Sequence, residues 1–173
     1  MLRPKQKKWL AHLSDDNHTT IIPWDPRSPQ IFEAVKNKIR DTLGENVNVK
    51  HCGATALGIS GQDEIDIYVP VPPARFDQLL VLLTQTFGPP KSCYPQERAR
   101  FDTDHSGKNV DVFLINQECR GWTDGVKFET YLKTHPEALE AYRQLKESGN
   151  GLSTRAYYTQ KIEFINDILT QTD

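Results

Sequence analysis

The run Val110-Asp111-Val112-Phe113-Leu114-Ile115 limits what this chain can become more than any other segment. Its five apolar residues, four of them β-branched or aromatic, read as a strand buried on at least one face. A lone carboxylate inside such a run is costly unless it is paired or bound to a cation. A second segment poses the same problem. Ile65 to Val71 reads as another buried strand, and Glu64 and Asp66 flank its first residue. Side chains at i and i+2 of a strand share a face, so these two acids stand side by side and repel. Magnesium, a hard cation with oxygen ligands, is the natural group to hold such a set. The competing reading is a half-exposed sheet face with solvated acids, and for any one acid alone it is the better one. Three acids together behind the small-residue turn Gly53-Ala54-Thr55 favour the metal site.

The other segments frame these strands. Pro23-Trp24-Asp25-Pro26 is a rigid turn. Ser28 and Pro29 read as the N-cap and first position of a helix through Ile31, Phe32, Val35, Ile39 and Leu43, ended by Gly44. Val47 to His51 alternates as a strand, and Cys52 to Gly61 reads as a turn with one helical turn. Pro72-Pro73 leads into a helix through Phe76, Leu79, Leu80 and Leu83, stopped at Gly88. Short strands are expected near Lys91–Tyr94 and Ala99–Thr103, with a hairpin turn at Asp104-His105-Ser106-Gly107. After Gly121 the pattern turns helical, with a break at His135-Pro136 and a cap at Ser153 for a last helix. A further short helix is expected at Lys7–Leu13. The order predicts an α/β (α+β) fold with a mixed sheet, flanking helices and a C-terminal helical extension. The expected organisation is a polar N-terminal segment, residues 1–20, and a single domain, 21–173, whose helical tail starts near 124.

At 173 residues with a net charge of −2, the chain carries no overall basic field, and non-specific nucleic-acid binding is not favoured. Cys52, Cys93 and Cys119 are widely spaced, form no CxxC pair, and point to reduced thiols in a cytoplasm rather than to zinc or disulfides. No stretch is long and apolar enough to span a membrane as a helix, and the basic N-terminus lacks the apolar core of a signal peptide.

The order of a Gly-small turn, nine residues, an acid-x-acid strand and a distal acid resembles the nucleotidyltransferase (polymerase-beta-like) superfamily. Other segments resemble its GrpB-like branch: Ile22-Pro23-Trp24-Asp25-Pro26, then His51-Cys52-Gly53-Ala54-Thr55-Ala56, and above all Phe128-Glu129-Thr130-Tyr131-Leu132-Lys133-Thr134-His135-Pro136-Glu137-Ala138. Tyr157-Tyr158, Lys161 and Phe164-Ile165 continue the match, which runs from about residue 20 to 170. The resemblance implies a nucleotidyltransferase-type sheet, magnesium and a nucleoside triphosphate. It leaves the acceptor unnamed. Three features depart from the pattern. Ala54 stands where Ser or Gly is usual. Gln62-Asp63-Glu64-Ile65-Asp66 replaces a Lys-Pro-Ile-Ile-Asp segment. Asp111 stands on a strand where the branch often has histidines. The last two move the chain toward the full three-acid pattern.

On this reading Glu64, Asp66 and Asp111 hold one or two magnesium ions, and Asp111 also serves as base. Gly53, Ala54 and Thr55 cradle the triphosphate through backbone N–H groups. Arg98 and Arg100 are candidates for holding a phosphate, each weighed evenly against a plain surface arginine. Lys161, one helical turn past Tyr157, could close over the nucleotide, though a solvated helix face suits it and Lys127 better. His51 reads as a structural hydrogen-bonding residue beside the turn. The expected activity moves a nucleoside monophosphate from the triphosphate to an unknown hydroxyl or phosphate acceptor. The alternatives are a nucleotide-binding or regulatory module without catalysis, and a structural domain with solvated acids.

Overall fold

The computed structural model describes residues 1–172, so Asp173, the last residue of the expected domain, lies outside the described residues. Five strands, β1 (Lys50–Cys52), β2 (Glu64–Val71), β3 (Ser92–Tyr94), β4 (Arg98–His105) and β5 (Lys108–Asn116), make one mixed sheet in the order β1-β2-β5-β4-β3. The two apolar runs pair with each other. β2 and β5 are parallel, and Asp66 stands opposite Asp111. β4 joins β5 antiparallel through a two-residue turn, Ser106-Gly107, with both residues at positive φ as such tight hairpins require. The helices are α1 (Pro4–Leu10), α2 (Ser28–Leu43), α3 (Gly53–Leu57), α4 (Phe76–Phe87), α5 (Arg120–Thr134), α6 (Pro136–Ser148) and α7 (Thr154–Thr172). None of them is long and apolar enough to cross a membrane. The expected mixed sheet with flanking helices and a helical C-terminal part is the architecture observed.

The chain divides into two compact units. One comprises Trp24–Gly58 and Asp63–Thr123, and holds the whole sheet with α2, α3 and α4. Its core follows from strand alternation. Ile65, Ile67, Val69 and Val71 of β2, Val110, Val112 and Leu114 of β5, and Ala99 and Phe101 of β4 are buried together with Ile31, Val35 and Ile39 of α2 and Phe76, Leu79 and Leu83 of α4. The period-2 pattern of the strands and the 3.6-residue pattern of the helices meet on one sheet face. The opposite face carries Glu64, Asp66, Tyr68, Asp111, Phe113, Ile115, Arg98, Arg100 and Asp102.

The other unit comprises Met1–Pro23, Ile59–Gln62 and the residues from Asp124 on. Here α1 lies along α7 through paired amide bonds between Gln6 and Asn166, at 3.1 and 2.9 Å, and an edge-to-face contact of Trp9 with Tyr158. Phe128, Tyr142 and Phe164 cluster between α5, α6 and α7.

Several elements sit a few residues from where the pattern alone puts them. The first strand covers Lys50–Cys52, because a turn from Gly44 to Val47 takes the residues before it and β2 offers partners only from Asp66 to Tyr68. The first helix starts at Pro4, where Gln6 accepts the Arg3 backbone N–H at 2.8 Å, and is over by Leu10. Ser28 does not cap α2. Arg27 is the N-cap, its carbonyl accepts the Ile31 N–H at 3.0 Å, and the buried Ser28 hydroxyl, already inside the helix, has no hydrogen-bond partner. Ser153 does serve its expected role, its Oγ accepting the Ala156 N–H at 3.2 Å.

Leu114 is fully buried on the core face of β5, so Leu114→Ala should cost about 2–5 kcal/mol in a urea unfolding curve. Val81→Ala, at a position 57% exposed on α4, should change the same midpoint by less than about 0.5 kcal/mol.

Candidate metal centre

Parallel pairing of β2 with β5 turns a sequence pattern into a site. Cross-strand partners run Cys52–Asp66–Asp111–Asp102 from β1 to β4, at the roughly 4.8 Å spacing of neighbouring strands. Glu64 stands two residues before Asp66 on the same face. One carboxylate oxygen from each of Glu64, Asp66 and Asp111 lies within 4.8 Å of the other two. Oxygens around an octahedral magnesium ion are about 2.9 Å apart when adjacent and about 4.1 Å when opposite, so the three carboxylates would have to draw in by about one to two ångströms to share its shell. The sequence-predicted metal acids are thus brought together.

Burial is uneven. Asp111 is 3% exposed, while Glu64 and Asp66 are half-buried. Loss of water pushes the Asp111 carboxyl above the ordinary carboxylate range. Arg100 Nη1, 3.3 Å from Asp111 Oδ2, pulls it partly back, and the charge of Asp102 adds to the rise. Asp102 itself reaches Lys91 Nζ at 3.4 Å. Three carboxylates gathered in a partly dehydrated place, with Arg100 beside Asp111, form an all-oxygen donor set of the kind that fits a hard divalent cation.

Gly53 opens α3 at φ +74°, in the left-handed region. A Cβ there would sit 2.5 Å from Asp66 Oδ2, so the turn approaches the acid as closely as it does only because glycine has no side chain. Thr55 is buried, with its hydroxyl 2.9 Å from His51 Nε2 and its carbonyl accepting the Trp24 indole N–H at 2.9 Å. His51 also stacks on Phe32, in the structural role expected of it. What the turn presents is therefore the backbone of Gly53 and Ala54 rather than the Thr55 side chain.

The remaining candidates separate. Arg100 joins the acid cluster through Asp111. Arg98 lies two residues along β4 on the same face, its guanidinium over the rings of Tyr94 and Phe113. Lys161 belongs to the other unit, on α7, with Nζ over the Tyr158 ring at 5.2 Å. Two features escape sequence reasoning. Asp102 joins the row only through the β4–β5 register. Lys108, 4% exposed, reaches Asp25 Oδ2 at 3.1 Å and also pairs with Asp63. With Arg27, the main cause, it holds the Asp25 carboxyl well below the usual range. A lysine beside a hairpin turn reads as solvated, and the only hint of this clamp was the apolar run that follows it.

A family model described as GrpB protein matches residues 18–171. The chain belongs to the GrpB protein family. That family is nucleotidyltransferase-like, in line with the resemblance read from the motifs. Over 77 residues this GrpB family member is 34% identical to a UPF0157 protein of Pseudomonas aeruginosa, a match covering 43% of this chain and 32% of that relative. It thus spans about a third of that curated relative's length. The crystal structure of the conserved protein GrpB from Enterococcus faecalis superposes with a TM-score of 0.63 at 20% identity, covering 87% of this chain and 95% of that one. That likeness is one of fold.

Two predictions follow from the geometry. Because burial raises the Asp111 carboxyl in the folded state, the folded protein binds more protons than the unfolded one across the window above the ordinary carboxylate range. Its contribution to stability is therefore present at low pH and lost as pH rises through the folded value. In chelator, the parent should lose stability relative to Asp111→Asn as pH rises above the ordinary carboxylate range, read from paired urea curves. Gly53→Ala should cost about 1 kcal/mol for its backbone conformation and displace the Asp66 carboxylate. Any thermal shift the parent shows with magnesium should shrink accordingly.

Proposed function

We propose that this protein is a magnesium-dependent nucleotidyltransferase that moves a nucleoside monophosphate from a nucleoside triphosphate to a hydroxyl or phosphate acceptor. The observation that carries the reading is the convergence of Glu64, Asp66 and Asp111 on one face of paired strands. Membership of the GrpB family and its fold are consistent with it. In this reading Glu64 and Asp66 hold the cation, with Asp111 completing the set. Bound magnesium would screen the charge of the phosphates and of the departing pyrophosphate. Gly53 lies against Asp66, and it and Ala54 would take the triphosphate on their backbone. Asp111 would accept the proton of the attacking hydroxyl as the new oxygen–phosphorus bond forms and the bond to pyrophosphate breaks. A cytoplasmic setting accords with the three free cysteines.

One observation favours a second reading, a nucleotide-binding or regulatory module without catalysis. Arg100 already pairs with Asp111, and Ala54 brings no hydroxyl to the phosphate turn. The two readings share nucleotide binding and part at turnover.

Calorimetry with magnesium and each of the common nucleoside triphosphates should give saturable binding that chelator abolishes. Asp66→Asn should weaken it at least tenfold, about 1.4 kcal/mol. Unaltered metal-dependent binding by that variant would sink the metal assignment. Pyrophosphate release against a panel of hydroxyl compounds separates the enzyme from the module.

A further inference from the structure

Beyond the acids, the same sheet face carries an aromatic ladder. Phe113, two residues along β5 from Asp111, stacks on Tyr68, two residues along β2 from Asp66, with ring centres 4.5 Å apart and planes 18° from parallel. Trp122 at the start of α5 continues the ladder at 5.7 Å from Tyr68. On the other side the Arg98 guanidinium lies 5.7 Å from the Phe113 ring centre and 5.4 Å from that of Tyr94. Beside them is a cleft of about 190 Å³, lined by Tyr68, Tyr94, Glu97, Arg98, Ile115 and Cys119. Arg98 pairs across strands with Ile115, four residues along from Asp111, about 13 Å at the rise of a strand.

Arg98 differs from its neighbour Arg100. Arg100 is paired to Asp111. Among the described residues no carboxylate lies within ion-pair distance of Arg98, even though Glu97 precedes it. A guanidinium oriented by two rings and left without a counter-ion is an anion site with its fork already placed. Its place in the sheet says on which side of the acids its ligand enters. The Gly53 turn leaves β1 and touches Asp66 from one side of the β2–β5 pair. The cleft spans β2 to β3 and lies further along the strands, past the acids at Tyr68 and Ile115, whereas the chain leaves antiparallel β1 toward the Glu64 end. In an in-line displacement the attacking group and the leaving group stand on opposite sides of the phosphorus. With pyrophosphate at the Gly53 turn, the attacking molecule comes from the cleft.

We propose that this cleft is the acceptor subsite and that the acceptor is a small hydroxyl compound with a flat ring and an anionic group, the ring between Tyr68 and Tyr94, the two aromatic residues that line the cleft, and the anion on Arg98. The assignment rests on the transferase reading for the word acceptor, and on Arg98 and the two tyrosines alone for the chemistry of the ligand. It disfavours polycationic acceptors, which would meet an uncompensated guanidinium, and nucleic-acid ends, which need a longer basic track than one arginine.

Phenyl phosphate and benzoate, titrated without nucleotide and followed by ligand-observed NMR, are the direct probes. At least one should bind the parent saturably, and Arg98→Gln should weaken it roughly tenfold, the usual scale of a charge-assisted contact. Arg98→Lys should restore only part, since it keeps the charge and loses the planar stack. Preference for phenyl phosphate marks a phosphorylated acceptor, and preference for benzoate a carboxylate. Glu64→Gln should keep this binding, as the cleft stands apart from the acids. Failure of both probes to bind, or equal binding by Arg98→Gln, overturns the proposal. So does an equal loss of magnesium–nucleotide binding in Arg98→Gln, which would make the cleft part of the nucleotide site. If Arg98-dependent binding holds while the parent binds no nucleotide at all, the transferase reading fails and the ring–anion cleft stands.

Discussion

The parallel register that sets Asp66 opposite Asp111 is the constraint on which the rest of this structure depends. Strand side chains alternate faces, so a slip of one residue would carry Asp111 into the core and lift Val110 and Val112 out of it. Hydrophobic burial beneath α2 and α4 and the assembly of the acid cluster are therefore one event. The free energy gained by Ile65, Ile67, Val110 and Val112 on one face supplies what is needed to crowd three carboxylates on the other. The same register aligns Tyr68 with Phe113, so the aromatic ladder and the acid row are successive rungs of one pairing.

Charge in the site is arranged asymmetrically. Asp111 is buried and has a guanidinium beside it, whereas Glu64 and Asp66 are half-buried and Asp66 lies against the Gly53 turn. Arg100 makes the buried charge of Asp111 tolerable, and its own side chain is 41% exposed, so the pair is half in solvent and weakly held on the arginine side.

Much of this was legible before any coordinates. Glu64, Asp66 and Asp111 stood out because acids in apolar runs are expensive, and the helices from Ser28 and Phe76 declared themselves by period and by the glycines that end them. What stayed hidden depends on which strands become neighbours. Asp102 sits on an ordinary alternating strand and gains meaning only as the cross-strand partner of Asp111. Arg98 and Arg100 are equivalent in sequence, yet one meets a carboxylate and the other two rings. Ser28 does not act as a cap because the helix begins one residue earlier than its pattern suggests, with Arg27 as N-cap and the Ile31 N–H already taken by the Arg27 carbonyl. The N-terminal residues gave no sign that they group with the C-terminal helices, since nothing local in Gln6 points to Asn166.

Lys108 gives the acid strand a fixed origin. It begins β5 and grips Asp63, the residue at positive φ from which β2 departs, together with Asp25 ahead of α2. Three stretches of chain that are distant in sequence thus share one nail at the end of the sheet where the carboxylates begin. Residues 59–62 just before Asp63 belong to the other compact unit. The clamp therefore stands between those residues and Glu64 along the chain, and it ties the starts of both acid-bearing strands to the turn ahead of α2.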